Sequence, residues 1–185
     1  MNRICVYCGS RTSAQTIFGE SADQLGHEIA KRTWGVIFGG GKIGMMGRVA
    51  EAALAQNGEV IGIIPTALKI KEVVHNGLSE LIETPDMHTR KAKMEELSHA
   101  FVILPGGFGT LDEFFEILTW RQLGFHNKPI IVVDIDGYFS GLEQYIQRAV
   151  DEDYVRESNL KLFDWVSTVE EAMTFLDGYF QKNTE

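Results

Sequence analysis

Short apolar runs alternate along this chain with longer stretches whose apolar positions recur every three or four residues. Ile4 to Cys8, Val36-Ile37-Phe38, Val60 to Ile64, Leu78 to Thr84, Ala100 to Leu104, Pro129 to Val133 and Leu162 to Val166 read as strands. Between them, Gln15 to Thr33 sets Phe18, Ala22, Leu25, Ile29 and Ala30 on one helical face. Further helices run through Val49, Ala52, Ala53 and Leu54, from Met87 behind the Pro85-Asp86 turn, over Phe114 to Leu123, over Phe139 to Asp151, and onward from a Thr168–Glu171 capping box. Buried strands alternating with helices predict an α/β fold. The expected form is a Rossmann-like three-layer α/β/α sandwich, with an open parallel sheet of about seven strands and ligands at the strands' carboxyl ends.

Two glycine-rich stretches fall at strand-to-helix junctions, where free N–H groups and the helix dipole favour an anion. The first is Gly39-Gly40-Gly41-Lys42-Ile43-Gly44 and the second Leu104-Pro105-Gly106-Gly107-Phe108-Gly109-Thr110-Leu111-Asp112-Glu113. The first has the form G-x-G-x-x-G, yet the next strand ends in Pro65-Thr66 and supplies no acid to hold a ribose. It is no P-loop either, since Ile43 follows Lys42 where a hydroxyl would hold magnesium. In the second, Thr110 and Glu113 place a hydroxyl and a carboxylate beside the turn. The same Thr-x-x-Glu spacing is that of a capping box, which gives both side chains a purely structural use.

Arg90 and Lys91 lie early in their helix, where cations oppose its dipole, so a nearby anion is expected. Ala67 to Gly77, with Lys69, Lys71 and His75, is irregular, and Asp134-Ile135-Asp136-Gly137 reads as a turn.

At 185 residues, with no linker or low-complexity tract, residues 1–185 form one expected domain. The net charge of −9 argues against nucleic-acid or anionic-membrane partners and toward a small molecule. No stretch approaches transmembrane length and no long apolar leader opens the chain, so the expected location is cytoplasmic. Cys5 and Cys8 spell C-x-x-C, but three residues apart in a strand they face opposite ways, unsuited to a redox pair or a zinc site. The histidines show no metal-ligand spacing, so no metal and no cofactor is expected. The Phe114–Leu123 helix is apolar around most of its circumference, which predicts a homodimer.

Three stretches together resemble a known family. Met87-His88-Thr89-Arg90-Lys91-Ala92-Lys93-Met94, the Leu104 to Glu113 stretch and Thr119-Trp120-x-Gln122-Leu123-Gly124 are similar to the LONELY GUY family of cytokinin riboside 5'-monophosphate phosphoribohydrolases, many long labelled lysine decarboxylases. The similarity extends from Tyr7-Cys8-Gly9-Ser10 to Asp136-Gly137-Tyr138. It implies hydrolysis of a purine riboside 5'-monophosphate to free base and ribose 5-phosphate, with Arg90 and Glu113 as the catalytic pair. Gly106, Gly107, Gly109 and Thr110 would hold the phosphate. Phe108, Asp112, Met87, Lys91 and Thr119 would lie at the ligand, and Gly9, Ser10, Gly40 and Gly41 would line the nucleotide from neighbouring strands. Phe108 replaces a tyrosine and Asp112 a glutamate common in the family.

The chemistry suits these residue types. Breaking the C1'–N9 bond builds positive charge on the ribose, which a carboxylate stabilises while it orients or deprotonates water. Arginine grips hydroxyls or phosphate in a way lysine does not. The competing readings are an AMP nucleosidase acting on plain AMP, a nucleotide sensor that returns its ligand intact, a pyridoxal-phosphate decarboxylase, and a dinucleotide oxidoreductase.

Overall fold

The computed structural model describes residues 1–69 and 74–182, so the expectation at Lys71 lies outside the described residues. Its strands are β1 Arg3–Tyr7, β2 Gly35–Phe38, β3 Val60–Pro65, β4 Glu80–Thr84, β5 Ala100–Ile103, β6 Ile130–Val133 and β7 Asp164–Val166. The helices are α1 Thr16–Lys31, α2 Gly44–Leu54, α3 Thr66–Lys69, α4 Met87–Leu97, α5 Phe108–Gln122, α6 Ser140–Asp151 and α7 Val169–Lys182. None of these helices is long and apolar enough to cross a membrane.

All strand pairs are parallel, in the order β4-β3-β2-β1-β5-β6-β7. The order reverses between β1 and β5. Such a switch point opens a crevice beyond the strands' carboxyl ends.

Strand alternation divides the core in two. Ile4, Val6 and Cys8 join Phe18, Leu25, Val49 and Met173 beneath α1, α2 and α7. Cys5 and Tyr7 face the other way, onto Phe101, Met94, Phe114 and Ile146 beneath α4, α5 and α6. The two cysteines are therefore free, buried and on opposite sides of the sheet, as their spacing predicts. Each fully buried Ile, Leu or Phe contributes about 1.5–3 kcal/mol of transfer free energy, so the sheet and its covering helices carry most of the stability.

Local chemistry accounts for the element ends. Asp86 caps α4 by accepting from the Thr89 N–H at 2.7 Å. The Thr168 hydroxyl accepts from the Glu171 N–H at 3.2 Å, while the Glu171 carboxylate returns to the Ser167 N–H at 2.7 Å, one residue before a standard capping box. Asp134 accepts from the Phe139 N–H at 2.6 Å across the expected turn, with Asp136 in the left-handed region at φ 53°.

Two helices start earlier than their apolar patterns suggest. α2 begins at Gly44 and α5 at Phe108, six residues ahead of Phe114. α2 opens as Gly44-Met45-Met46-Gly47 and α5 as Phe108-Gly109-Thr110, where glycines break the apolar period before the regular pattern begins.

Candidate active site

The early start of α5 changes what Thr110 and Glu113 do. Gly107 is the N-cap and no side chain caps the helix, so Thr110 is already inside the first turn and no Thr110–Glu113 capping box forms. The first backbone bond of α5 runs from the Leu111 N–H to the Gly107 carbonyl at 3.2 Å, which leaves the amides of Phe108, Gly109 and Thr110 without helical acceptors. These residues border a cavity of about 680 Å³ at the switch point between β1 and β5.

The turn before α5 is tightly made. A β-carbon on Gly106 would lie 2.1 Å from Thr110 Oγ1 and 2.8 Å from the Gly9 nitrogen, so only glycine permits the close pass of these segments. The Gly9 N–H donates to the Pro105 carbonyl at 3.0 Å, and the Gly9 carbonyl accepts from the Met45 N–H at 3.0 Å. The Tyr138 hydroxyl donates to the Gly106 carbonyl at 2.7 Å. Three strand ends and the start of α2 are thereby tied into one rim.

Arg90 and Glu113 meet at this cavity. Arg90 Nη2 lies 3.3 Å from Glu113 Oε1, and both side chains are about nine-tenths buried. Arg90 Nε also donates to the Ile63 carbonyl at 3.0 Å, which ties the guanidinium to the end of β3. Burial pushes the Glu113 carboxyl up to about 7 against the opposing pull of Arg90, with Asp112 raising it further, Lys91 lowering it and Glu116 raising it. A carboxyl in that range both accepts and releases a proton near neutral pH. Tyr7, Cys5 and Cys8 on the adjacent strand are held neutral, because burial raises each of them.

Of the residues proposed from sequence, Gly9, Ser10, Met87, Arg90, Gly106, Gly107, Phe108, Gly109, Thr110 and Glu113 line the cavity. Gly40, Gly41, Lys91, Asp112 and Thr119 do not. Gly40 is buried at φ 79° above Ile64 and Gly62, and Gly41 bridges Val74. Lys91 and Asp112 pair with each other, and Thr119 opens onto a separate cavity of about 260 Å³ between α5 and α6. The anion expected beside the early cations of α4 is supplied by the protein itself, as Glu113 for Arg90 and as Asp112 and Glu116 for Lys91.

Sequence reasoning missed several lining residues. Arg11, Thr12 and Ser13 continue the polar run after β1, and the rule that ligands sit at strand carboxyl ends points to them. Phe18, Met45, Met46 and Leu68 supply an apolar wall: Phe18 is legible in sequence only as a core position of its helix, Met45 and Met46 follow the first glycine stretch, and Leu68 carries no sequence signal.

A protein-family model described as "Possible lysine decarboxylase" matches residues 46–176. A cytokinin riboside 5'-monophosphate phosphoribohydrolase of Arabidopsis thaliana, LOG5, is 38% identical over 177 residues, covering 96% of this chain and 78% of its own. A probable enzyme of the same name from Oryza sativa subsp. japonica, LOGL9, is 43% identical over 161 residues, covering 87% and 71%. Among solved structures, a molybdenum cofactor binding protein of Rippkaea orientalis superposes with TM-score 0.75 at 21% identity over 97% of each chain. The Moco carrier protein of Chlamydomonas reinhardtii does so with 0.74 at 20% identity over 98% of each. These two share the fold. On the family match and the identity to its relatives, this chain belongs to the LONELY GUY family of phosphoribohydrolases, the group that the lysine decarboxylase label also covers.

Proposed function

We propose that this chain hydrolyses the N-glycosidic bond of purine riboside 5'-monophosphates, with a cytokinin riboside monophosphate or plain AMP as substrate. The observation that carries the reading is the buried Arg90–Glu113 pair opening onto a cavity bordered by the uncapped start of α5. The curated relatives named above carry phosphoribohydrolase names.

The 5'-phosphate sits against the free amides of residues 108–110 and the Thr110 hydroxyl, with Arg11 adding a cation at the cavity wall. Glu113 faces the ribose. As the C1'–N9 bond breaks, its electron pair leaves with the base, which takes up a proton. The ionised Glu113 carboxylate stabilises the positive sugar and accepts a proton from water, whose oxygen bonds to C1'. Arg90 holds the carboxylate in place and favours its ionised form. The apolar wall of Phe18, Met45, Met46, Leu68 and Met87 provides room for an N6-substituted base.

The test is a product assay with AMP and an N6-prenylated AMP, scoring free base and ribose 5-phosphate. Release from either supports hydrolysis, and the ratio of rates identifies the preferred base. Return of both nucleotides intact overturns it in favour of a sensor.

The protein acts as a homodimer on this reading. Phe115, Leu123 and Phe125 stand exposed on and just beyond α5, with Tyr145 and Tyr154 beside them on and beyond α6. Light scattering on the purified protein is expected to give twice the chain mass, and Phe125→Asp to lower it.

A further inference from the structure

Behind the cavity, α4 and α5 meet through a second set of charges that the cavity does not reach. Lys91 is 7% exposed, and its Nζ lies 3.0 Å from Asp112 Oδ2 and 3.1 Å from Glu116 Oε1. The second oxygen of Glu116 is buried without a hydrogen-bond partner. These residues are interleaved with the proposed catalytic pair: Lys91 follows Arg90, Asp112 precedes Glu113, and Glu116 lies one turn beyond it. An ammonium so deeply buried is tolerated only beside its carboxylates, so any slide of α5 along α4 that separates them is strongly opposed.

We propose that Lys91 is a positioning residue, whose ammonium clamps Asp112 and Glu116 of α5 against α4 and thereby sets the approach of Arg90 to Glu113 without touching the nucleotide. The role rests on the reading of Glu113 as the group facing the sugar. It differs from the ligand contact that the family resemblance implies for Lys91. The two roles separate in experiment.

The clamp also acts on Glu113 through charge. Glu113 is faced by Arg90 and Lys91 from α4 and by Asp112 and Glu116 from α5, while Cys5 and Tyr7 of β1 and Cys8 just after it stay neutral. Lys91 favours the ionised carboxylate and Glu116 opposes it. Burial alone would lower the Lys91 ammonium, but its hydrogen bonds to Asp112 and Glu116 outweigh burial and hold it above its ordinary value. Lys91 is thus charged throughout the working range.

The experiment compares wild type, Lys91→Met and Glu116→Gln in steady-state hydrolysis of AMP, and titrates the Glu113 carboxyl carbon by NMR in ligand-free protein, assigned with Glu113→Gln. Lys91→Met keeps an unbranched chain of similar length without the charge. The expected result is a fall in kcat of about tenfold or more with KM changed by less than about threefold. The Glu113 midpoint moves up in Lys91→Met and down in Glu116→Gln. A raised KM with kcat retained makes Lys91 a ligand contact and overturns the proposal, as do midpoints that stay at the wild-type value in both variants. Should Lys91→Met fail to fold, Glu116→Gln with Lys91→Arg decides on the same readouts: the first lowers the midpoint, and the second keeps the cation and holds it near wild type. Should wild type release no base, the functional reading fails on its own, and the carboxyl titration still decides whether Lys91 acts on Glu113.

Discussion

A β-carbon placed on Gly39 would stand 2.2 Å from Arg90 Nη2 and 3.1 Å from Met46 Sδ. The guanidinium thus reaches Glu113 only because the chain leaves β2 as bare backbone. Gly39→Ala is expected to push Arg90 aside and lower kcat/KM by about 10- to 100-fold, with the circular dichroism spectrum unchanged. Gly178→Ala, in the interior of α7 with nothing within 4 Å of the added carbon, serves as the control. It should leave kcat/KM alone and stabilise the protein by about 0.5–1 kcal/mol.

Glu113→Gln should abolish base release and stabilise the fold at alkaline pH. Burial raises the folded-state pKa of Glu113 from 4.5 to about 7, so the native protein binds that proton more tightly than the unfolded chain does. Stability from this group is therefore full below about pH 4.5 and falls as pH rises to about 7, by roughly 3 kcal/mol in total. The variant, which mimics the protonated acid, is expected to have the higher melting temperature at pH 8 and no advantage at pH 4. A melting temperature lowered at both pH values would mean that Glu113 mainly braces its helix.

Activity should titrate with the same group. Because the ionised carboxylate takes the proton from water, kcat/KM is expected to be low at pH 5 and to climb through a midpoint near 7. A profile that instead falls across this range would make Glu113 the proton donor to the base.

Loss of a single hydroxyl tests the phosphate site. Thr110 is 3% exposed and borders the cavity from the first turn of α5. Thr110→Val keeps its shape, so KM for the nucleotide should rise by about tenfold while kcat changes little. The riboside lacking the phosphate should bind wild type and variant alike.

The five inner strands were legible because each is a run of apolar residues buried on both faces, a pattern few other environments produce; the edge strands β4 and β7 are only partly buried and were legible from their place in the alternation. The starts of α2 and α5 were not, since glycines interrupt Gly44 to Gly47 and Phe108 to Thr110 and much of each stretch borders the cavity, so no apolar period runs through them. Arg90 and Glu113 were within reach through the family motifs and the chemistry they need. Lys91 shows the boundary of such reading: spacing places it in a motif beside Arg90, but does not tell that its ammonium turns to Asp112 and Glu116 of its own protein. Gly39 was hidden for a related reason, since spacing cannot tell a glycine that admits a ligand from one that admits a side chain of its own protein.

The two free thiols offer a readout that needs no added label. Cys5 is fully buried within the central strand, where its thiol is pushed up to about 12, so alkylating reagents reach it only when the sheet itself comes apart. Cys8, just past the strand, is buried on the other side of the sheet, and burial pushes its thiol up further still. Counting adducts on either cysteine therefore clocks whole-molecule opening, and a single mass spectrum reports both.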